Sequence, residues 1–367
     1  MNAPGNPKGR SLKPTESATR ANAVRVMIVD DSLTVRTIFK RMVESDQALA
    51  VSDTASSAER AIAQLRNTPA DVILLDLEMP GMGGLEALPE ILETAAGAQV
   101  LVVSSLTDDG AEATMAALSM GAADTMLKPR PGGFNEDYRA QLLGKIKALG
   151  GATSDSRGAG GPDPAPKPAL HTIRPEVLAI GASTGGIHAL NLMLRRITPE
   201  FDAPILVTQH LPSSFVPVFA RQLEVASARR TVIAEDGTEI RRGEIAVATG
   251  HGHMTVRRIA DRLIAKVSSE PARSGCLPSV DPMLASLATT FESRVLAVIL
   301  SGMGRDGLEG ARAVCEAGGT IYAQDAETSA VWGMPGAVAK AGLANLVAAP
   351  EELADAIMSH AAATVQR

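Results

Sequence analysis

Short apolar runs and longer amphipathic stretches alternate along most of the chain. Val24–Val29 is an apolar run that ends on Asp30-Asp31, and Leu33–Glu44 has helical spacing with Ser32 placed as an N-cap. Val72–Leu75 ends on Asp76, Val100–Val103 ends on Ser104-Ser105, and Thr125–Leu127 leads into Lys128-Pro129. Strands alternating with helices predict a parallel sheet covered on both faces. Each polar cluster falls at the carboxyl end of a strand, where ligands bind in such sheets.

The pattern breaks at Gly150–Ala169, which reads GGATSDSRGAGGPDPAPKPA and has no apolar period. This composition predicts a flexible linker, stiffer towards its Pro-rich end. Alternation then resumes from Val177 to about Ala362, with strands expected at Val177–Ile180, Ile205–Thr208, Val295–Leu300 and Thr320–Ala323. Val232–Ile233, Glu244–Ala248 and Met254–Arg257 read as shorter strands, with antiparallel pairing the expectation. The reading is a disordered tail (1–22), a first α/β domain (23–149), a linker (150–170) and a second α/β domain (171–367).

Composition narrows the function. Aromatics make up 2% of the 367 residues and the net charge is −6, which argues against stacking platforms or a broad phosphate-binding face for nucleic acid. No apolar run approaches the ~20 residues that span a bilayer, so membrane insertion is not expected. The first twenty residues carry Lys8, Arg10, Lys13 and Arg20 without an apolar core, so no export signal is read there. Cys276 and Cys315 are the only cysteines, a usage that fits a reduced, cytoplasmic chain.

In the first domain, Asp30, Asp31 and Asp76 arrive at strand ends expected to be neighbours. Three carboxylates in one place repel unless a hard cation such as Mg²⁺ neutralises them. Ser104 and Lys128, at two further strand ends, offer a hydroxyl and a positive charge. Any one of these residues alone would suit an ordinary strand-end turn; five together are unlike coincidence. The segments IVDDS (28–32), LLDLEMPGMGGLE (74–86), VVSS (102–105) and LKP (127–129) resemble response-regulator receiver domains, which have a doubly wound, flavodoxin-like fold. The resemblance implies phosphorylation on Asp76, with Mg²⁺ held by Asp30, Asp31, Asp76 and the Glu78 backbone carbonyl. It implies a switch hydroxyl on Ser104, a phosphoryl contact from Lys128 and a cis Lys128–Pro129 bond. Thr125 stands where such domains usually carry an aromatic residue, so the aromatic rotamer switch cannot operate in its usual form.

In the second domain, Val177–Gly186 reads VLAIGASTGG, a buried strand running into a Gly-rich turn and a helix. Gly181–Gly185 satisfies G-x-S-x-G, which would expose Ser183 at the top of a sheet. The same turn resembles a degenerate anion cradle, although no P-loop lysine follows. A serine needs a base. His171 and His360 lie near segment ends, and His188 follows the serine on the helix. His251 and His253 occupy a Gly-rich loop, while His210 shares the carboxyl edge with Ser183. The third group is Asp306 or Asp325, which position alone does not separate. The order Ser…His…Asp differs from the Ser…Asp…His of α/β-hydrolases.

IGASTGG (180–186), TQHLP (208–212), PSVDP (278–282), SGMGRDG (301–307) and GMPG (333–336) resemble the catalytic domain of chemotaxis protein-glutamate methylesterases, the CheB family. Receiver, linker and catalytic domain in this order match the full-length family. The resemblance implies a doubly wound, mostly parallel α/β methylesterase domain with nucleophile Ser183, general base His210 and orienting acid Asp306. It implies an oxyanion hole from Met303 and Thr184, and no cofactor for the ester step. Family members often carry His-Arg where this chain has Cys276-Leu277. Chemotaxis receptors are the implied substrate, with deamidation of their glutamines as a second activity, and a chemotaxis histidine kinase is the implied phosphodonor. The receiver is expected to cover the active face until phosphorylated. Competing classes are a non-catalytic adaptor and a nucleotide- or phosphate-binding domain; a DNA-binding output is disfavoured because no basic recognition helix is evident.

Overall fold

The computed structural model of the chain describes residues 23–95, 97–104, 107–129, 133–155 and 173–362. The expected disordered tail 1–22, the linker beyond residue 155 and His171 lie outside the described residues.

The first domain alternates β1 (Val24–Val29), α1 (Leu33–Glu44), β2 (Leu49–Ala55), α2 (Ala58–Leu65), β3 (Val72–Asp76), α3 (Gly84–Thr94), β4 (Gln99–Ser104), α4 (Asp108–Met120), β5 (Asp124–Leu127) and α5 (Glu136–Asp155). The sheet order is β2-β1-β3-β4-β5, parallel throughout. Ser32 caps α1 by accepting from the Val35 N–H, as its position predicts. β3 is buried along its whole length, which explains its continuous apolar run. Because β1 lies between β2 and β3, the order in which strands are added reverses there, and the carboxyl ends of β1 and β3 open into a crevice. Helix α5 runs six residues past the expected boundary at 149, so residues 150–155 are helical. The Lys128–Pro129 bond is not cis; the cis peptide among the described residues is Leu277–Pro278. A trans bond is the intrinsically favoured form, and Lys128 reaches its carboxylate partners with it.

The second domain contains β6 (Val177–Ala182), α6 (Gly186–Leu194), β7 (Ile205–Gln209), α7 (Val216–Ser227), β8 (Thr231–Ile233), β9 (Glu239–Ile240), β10 (Ile245–Val247), β11 (His253–Ile259) and β12 (Arg262–Ser268). It continues with α8 (Val280–Phe291), β13 (Val295–Ile299), α9 (Leu308–Glu316), β14 (Thr320–Gln324), α10 (Met334–Lys340), β15 (Leu346–Ala348) and α11 (Pro350–Ala362). Its main sheet has the order β15-β14-β13-β6-β7-β10-β8 and is parallel throughout. The segments Val232–Ile233 and Glu244–Ala248 therefore pair parallel, not antiparallel. They form an edge beside β7, and only Met254–Arg257 has the expected antiparallel partner, β12. Strands β11, β12 and β9 make a separate three-stranded sheet.

Placing β6 between β13 and β7 decides where the chemistry sits. The three loops that follow these strands are the Ser183 turn, the Ser301–Gly307 loop and the His210 segment. They emerge side by side at one edge.

Candidate active site

Ser183 directly follows β6, and its backbone is held from two sides. Its N–H donates to the Ser301 carbonyl at 3.0 Å, and its carbonyl accepts from Gln209 Nε2 at 2.9 Å and from the Gly186 N–H at 2.9 Å. Gly185 turns the chain into α6 with φ +77°, a conformation that a Cβ would oppose; that Cβ would also lie 2.5 Å from the Ala330 Cβ. The Ser183 side chain is partly exposed and makes no hydrogen bond among the described residues.

His210 projects from the end of β7. Its Nε2 lies 2.7 Å from Asp306 Oδ2, and its own N–H donates to the Ala182 carbonyl one residue before the serine. Asp306 is 2% exposed. Its Oδ1 accepts from Ser279 Oγ at 2.6 Å, and its Oδ2 also accepts from the Val280 N–H at 2.7 Å. Burial would lower the His210 pKa, but hydrogen bonding to Asp306, joined by contact with Cys276, outweighs it and raises the value to about 9. For Asp306 burial pushes the other way, and donation by His210, Ser279 and Val280 overcomes it, holding the carboxyl well below its usual range. The result is a half-buried, oriented imidazole beside a serine turn. Such a pair can take a proton once a substrate closes the remaining gap.

The other candidates lie elsewhere. Asp325 spends its Oδ1 on the Thr328 N–H and hydroxyl, a local turn. His188 Nδ1 sits 3.0 Å from the Ser119 carbonyl, facing the first domain. His251 is exposed, and His360 contacts the Ile173 carbonyl. His253 is buried, and its Nδ1 accepts from the Ser279 N–H, so it braces the segment that donates to Asp306. The backbone N–H groups of Thr184 and Met303 have no partner among the described residues, which leaves both as donors beside Ser183.

Three participants escaped the reading of the residues. Gln209 clamps the serine backbone, Ser279 bridges Asp306 to the β11 end, and Cys276 stands with His210 and Asp306, ligand atoms within 4.8 Å of one another. The TQHLP and PSVDP segments were signals for the first two. Nothing in the spacing signals the third.

In the first domain the carboxylate oxygens of Asp30, Asp31 and Asp76 lie within 4.8 Å of one another. Asp30 and Asp76 are buried, while Asp31 is exposed. Lys128 Nζ bridges the Oδ2 atoms of Asp30 and Asp76. The Glu78 N–H donates to Asp76 Oδ1 at 3.0 Å. Burial raises the Asp76 pKa to about 6 against the pull of Lys128. One lysine against three carboxylates leaves the cluster net negative, which fits a hard divalent cation. Ser104 Oγ is fully buried and accepts from Thr114 Oγ1 of α4 at 2.6 Å. Thr125 is buried with an unpartnered hydroxyl.

Residues 26–133 match the family profile "Response regulator receiver domain", and residues 178–357 match "CheB methylesterase". A protein-glutamate methylesterase/protein-glutamine glutaminase 1 of Paramagnetospirillum magneticum is 38% identical over 370 residues, 93% of this chain and 97% of that one. The chain belongs to the protein-glutamate methylesterase/protein-glutamine glutaminase family. A relative of the same name, number 2, from Caulobacter vibrioides is 40% identical over 347 residues, covering 92% of this chain and 99% of its own. The crystal structure of the Thermotoga maritima CheB methylesterase catalytic domain is 33% identical, covers 51% of this chain and 99% of that one, and gives a TM-score of 0.49. No helix among the described residues is long and apolar enough to cross a membrane.

The two domains of this family member touch at the serine turn. The Gly185 N–H donates to the Ala123 carbonyl, and Thr184 Oγ1 donates to Asp124 Oδ2 at 2.6 Å. Behind them α4 packs on α6 and α7, where Ser119 Oγ joins Asn191 and Gln222 and Glu112 pairs with Arg221.

Gly302 marks how tightly Ser183 is seated. A Cβ there would lie 2.8 Å from the Ser183 Cβ and 2.4 Å from Met334 Sδ. Gly302→Ala is expected to destabilise the catalytic domain by about 1–3 kcal/mol through overpacking, read as a lower urea midpoint. An unchanged midpoint would show that Met334 yields without cost.

Proposed function

We propose that the chain hydrolyses glutamyl γ-methyl esters on chemotaxis receptors, deamidates receptor glutamines at the same site, and is switched by phosphorylation of Asp76. The observation that carries the reading is the pairing of His210 with buried Asp306 beside the Ser183 turn. It sits in a chain whose first domain also holds the Asp30, Asp31, Asp76 and Lys128 cluster.

Ser183 Oγ attacks the γ-carbonyl carbon while neutral His210 accepts its proton. The Met303 and Thr184 N–H groups stabilise the oxyanion, a contribution of about 100–1000-fold per donor. Protonated His210 then gives its proton to the departing methoxide, releasing methanol, or to the amine leaving a glutamine amide. A water molecule, deprotonated by His210, cleaves the acyl-serine ester and leaves a glutamate carboxylate with Ser183 restored. Asp306 holds the imidazole in the productive tautomer throughout.

For control, Asp76 Oδ accepts a phosphoryl group from a chemotaxis histidine kinase, and Lys128 neutralises its oxygens. Mg²⁺ held by Asp30, Asp31, Asp76 and the Glu78 carbonyl would supply charge neutralisation to that transfer. Recruitment of the Ser104 hydroxyl to the new phosphoryl group competes with its bond to Thr114 on α4, the helix that packs against the catalytic domain. This route needs no aromatic at position 125. We assign the chain to the cytoplasm, in keeping with its sparse cysteine usage.

Before phosphorylation, Ala123 and Asp124 tie down the two residues after the nucleophile. Asp124→Ala is expected to raise unphosphorylated turnover about tenfold, in proportion to the loss of one charge-assisted bond. A basal rate equal to wild type would sink the capping role of this contact. The test of the whole reading is methanol release from methyl-labelled receptor membranes, with and without acetyl phosphate. Stimulation in wild type and none in Asp76→Ala supports it. No release from phosphorylated, folded wild type would instead favour a non-catalytic adaptor.

A further inference from the structure

Among the described residues, two ligand clusters differ sharply in character. One is the all-oxygen set Asp30, Asp31 and Asp76; the other combines a nitrogen, a sulfur and an oxygen from His210, Cys276 and Asp306. Hard cations prefer the first set, whereas imidazole with thiolate suits a borderline ion such as Zn²⁺. We propose that His210, Cys276 and Asp306 form an inhibitory Zn²⁺ site built over the catalytic base.

Several features support it. The three ligand atoms lie within 4.8 Å of one another; Zn²⁺, with bonds of about 2.0 Å to nitrogen and about 2.3 Å to sulfur, would replace the hydrogen bond between His210 Nε2 and Asp306 Oδ2, now 2.7 Å apart, and draw the thiolate in. Cys276 is a free, partly exposed thiol, so an ion can reach it. Its loop is tethered to the site already: the Cys276 N–H donates to Ser274 Oγ, which lies 3.2 Å from Ser279 Oγ, itself a donor to Asp306. Three protein ligands leave a fourth position open, and an imidazole that gives one ring nitrogen to the metal keeps its proton on the other, so it can no longer accept one from Ser183. The thiol is deprotonated on binding, releasing one proton to solvent. The binding half of the proposal stands on the cluster alone; the inhibitory half rests on the catalytic role proposed for His210.

The test uses the full-length chain with excess Mg²⁺ to fill the all-oxygen site, and Co²⁺ as the spectroscopic probe. One equivalent of Co²⁺ is expected to give a thiolate-to-metal charge-transfer band that Zn²⁺ displaces. The band should vanish in Cys276→Ser and survive in Cys315→Ser. Cys276→His, which replaces the thiolate with an imidazole, should keep Zn²⁺ binding without the band. In ester hydrolysis, with each variant referred to its own metal-free rate, Zn²⁺ should inhibit wild type at concentrations at least about tenfold below those needed for Cys276→Ser. A chelator should reverse the inhibition. A wild type without the band, or a band that persists in Cys276→Ser, overturns the site whatever the esterase assay reads. The expected band with equal Zn²⁺ inhibition of both proteins would remove the inhibitory role.

Discussion

Ser183→Ala is expected to lower methanol release from methylated receptors by about 10⁴–10⁶-fold while leaving the fold intact. The two halves of this expectation have separate causes. Ser183 Oγ makes no hydrogen bond among the described residues, so its removal orphans no partner, and the turn is held instead by backbone contacts to Ser301, Gln209 and Gly186. Thermal midpoint and receptor binding should therefore match wild type. The rate should not, because the remaining N–H donors and substrate binding stabilise an oxyanion that no serine can form. Loss of activity together with a large drop in midpoint would assign Ser183 a structural role. Full activity in the variant would transfer the nucleophile elsewhere, with Cys276, also beside His210, the first residue to examine.

Asp306→Asn should cost about 10⁴-fold in turnover and also change its pH dependence. The wild-type carboxylate receives three donors, from His210, Ser279 and Val280. An amide has one oxygen for them and must point its NH₂ at His210 or at Ser279. The first choice stabilises the wrong imidazole tautomer, and the second breaks the brace. The sign of the pH effect follows from charge. His210 acts as a base only when neutral, and its bond to Asp306 raises its pKa to about 9 against burial. Wild-type kcat/KM should accordingly climb with pH through the alkaline range. Removing the negative charge leaves burial opposed by Cys276 alone, so the limb in Asp306→Asn should move to lower pH than in wild type. A limb that stays in place would mean that the titrating group is not His210.

Much of the fold was legible in local pattern. Val72–Asp76 and Val177–Ala182 are buried on both faces, so their apolar runs are unbroken. Ser32 could be recognised as a cap from its position alone. Strand β12 and the two-residue β9 were not recognised, and the pairing sense of β8 and β10 was misjudged. Strands β8, β9 and β10 have only two or three residues each, too few for alternation to show, so their neighbours decide. The helical continuation to Asp155 was hidden by Gly150 and Gly151, whose low helix propensity is overridden in place.

The candidate site divides in the same way. The sequence by itself determined the residue types at strand ends: a serine in a glycine turn, a histidine after the next apolar run, and carboxylates after β1 and β3. These are local facts, written by burial period and turn chemistry. Only the tertiary structure decided which of these ends meet. Order β13-β6-β7 brings Asp306 to His210, whereas Asp325, one strand further out, closes its own turn with Thr328. The fold also set Cys276 beside His210, 66 positions away in the chain, and Asp124 against Thr184, 60 positions away. Such meetings depend on strand order and domain packing, which no periodicity encodes. They arise when distant segments share one core and the side chains left at its rim fall within bonding distance.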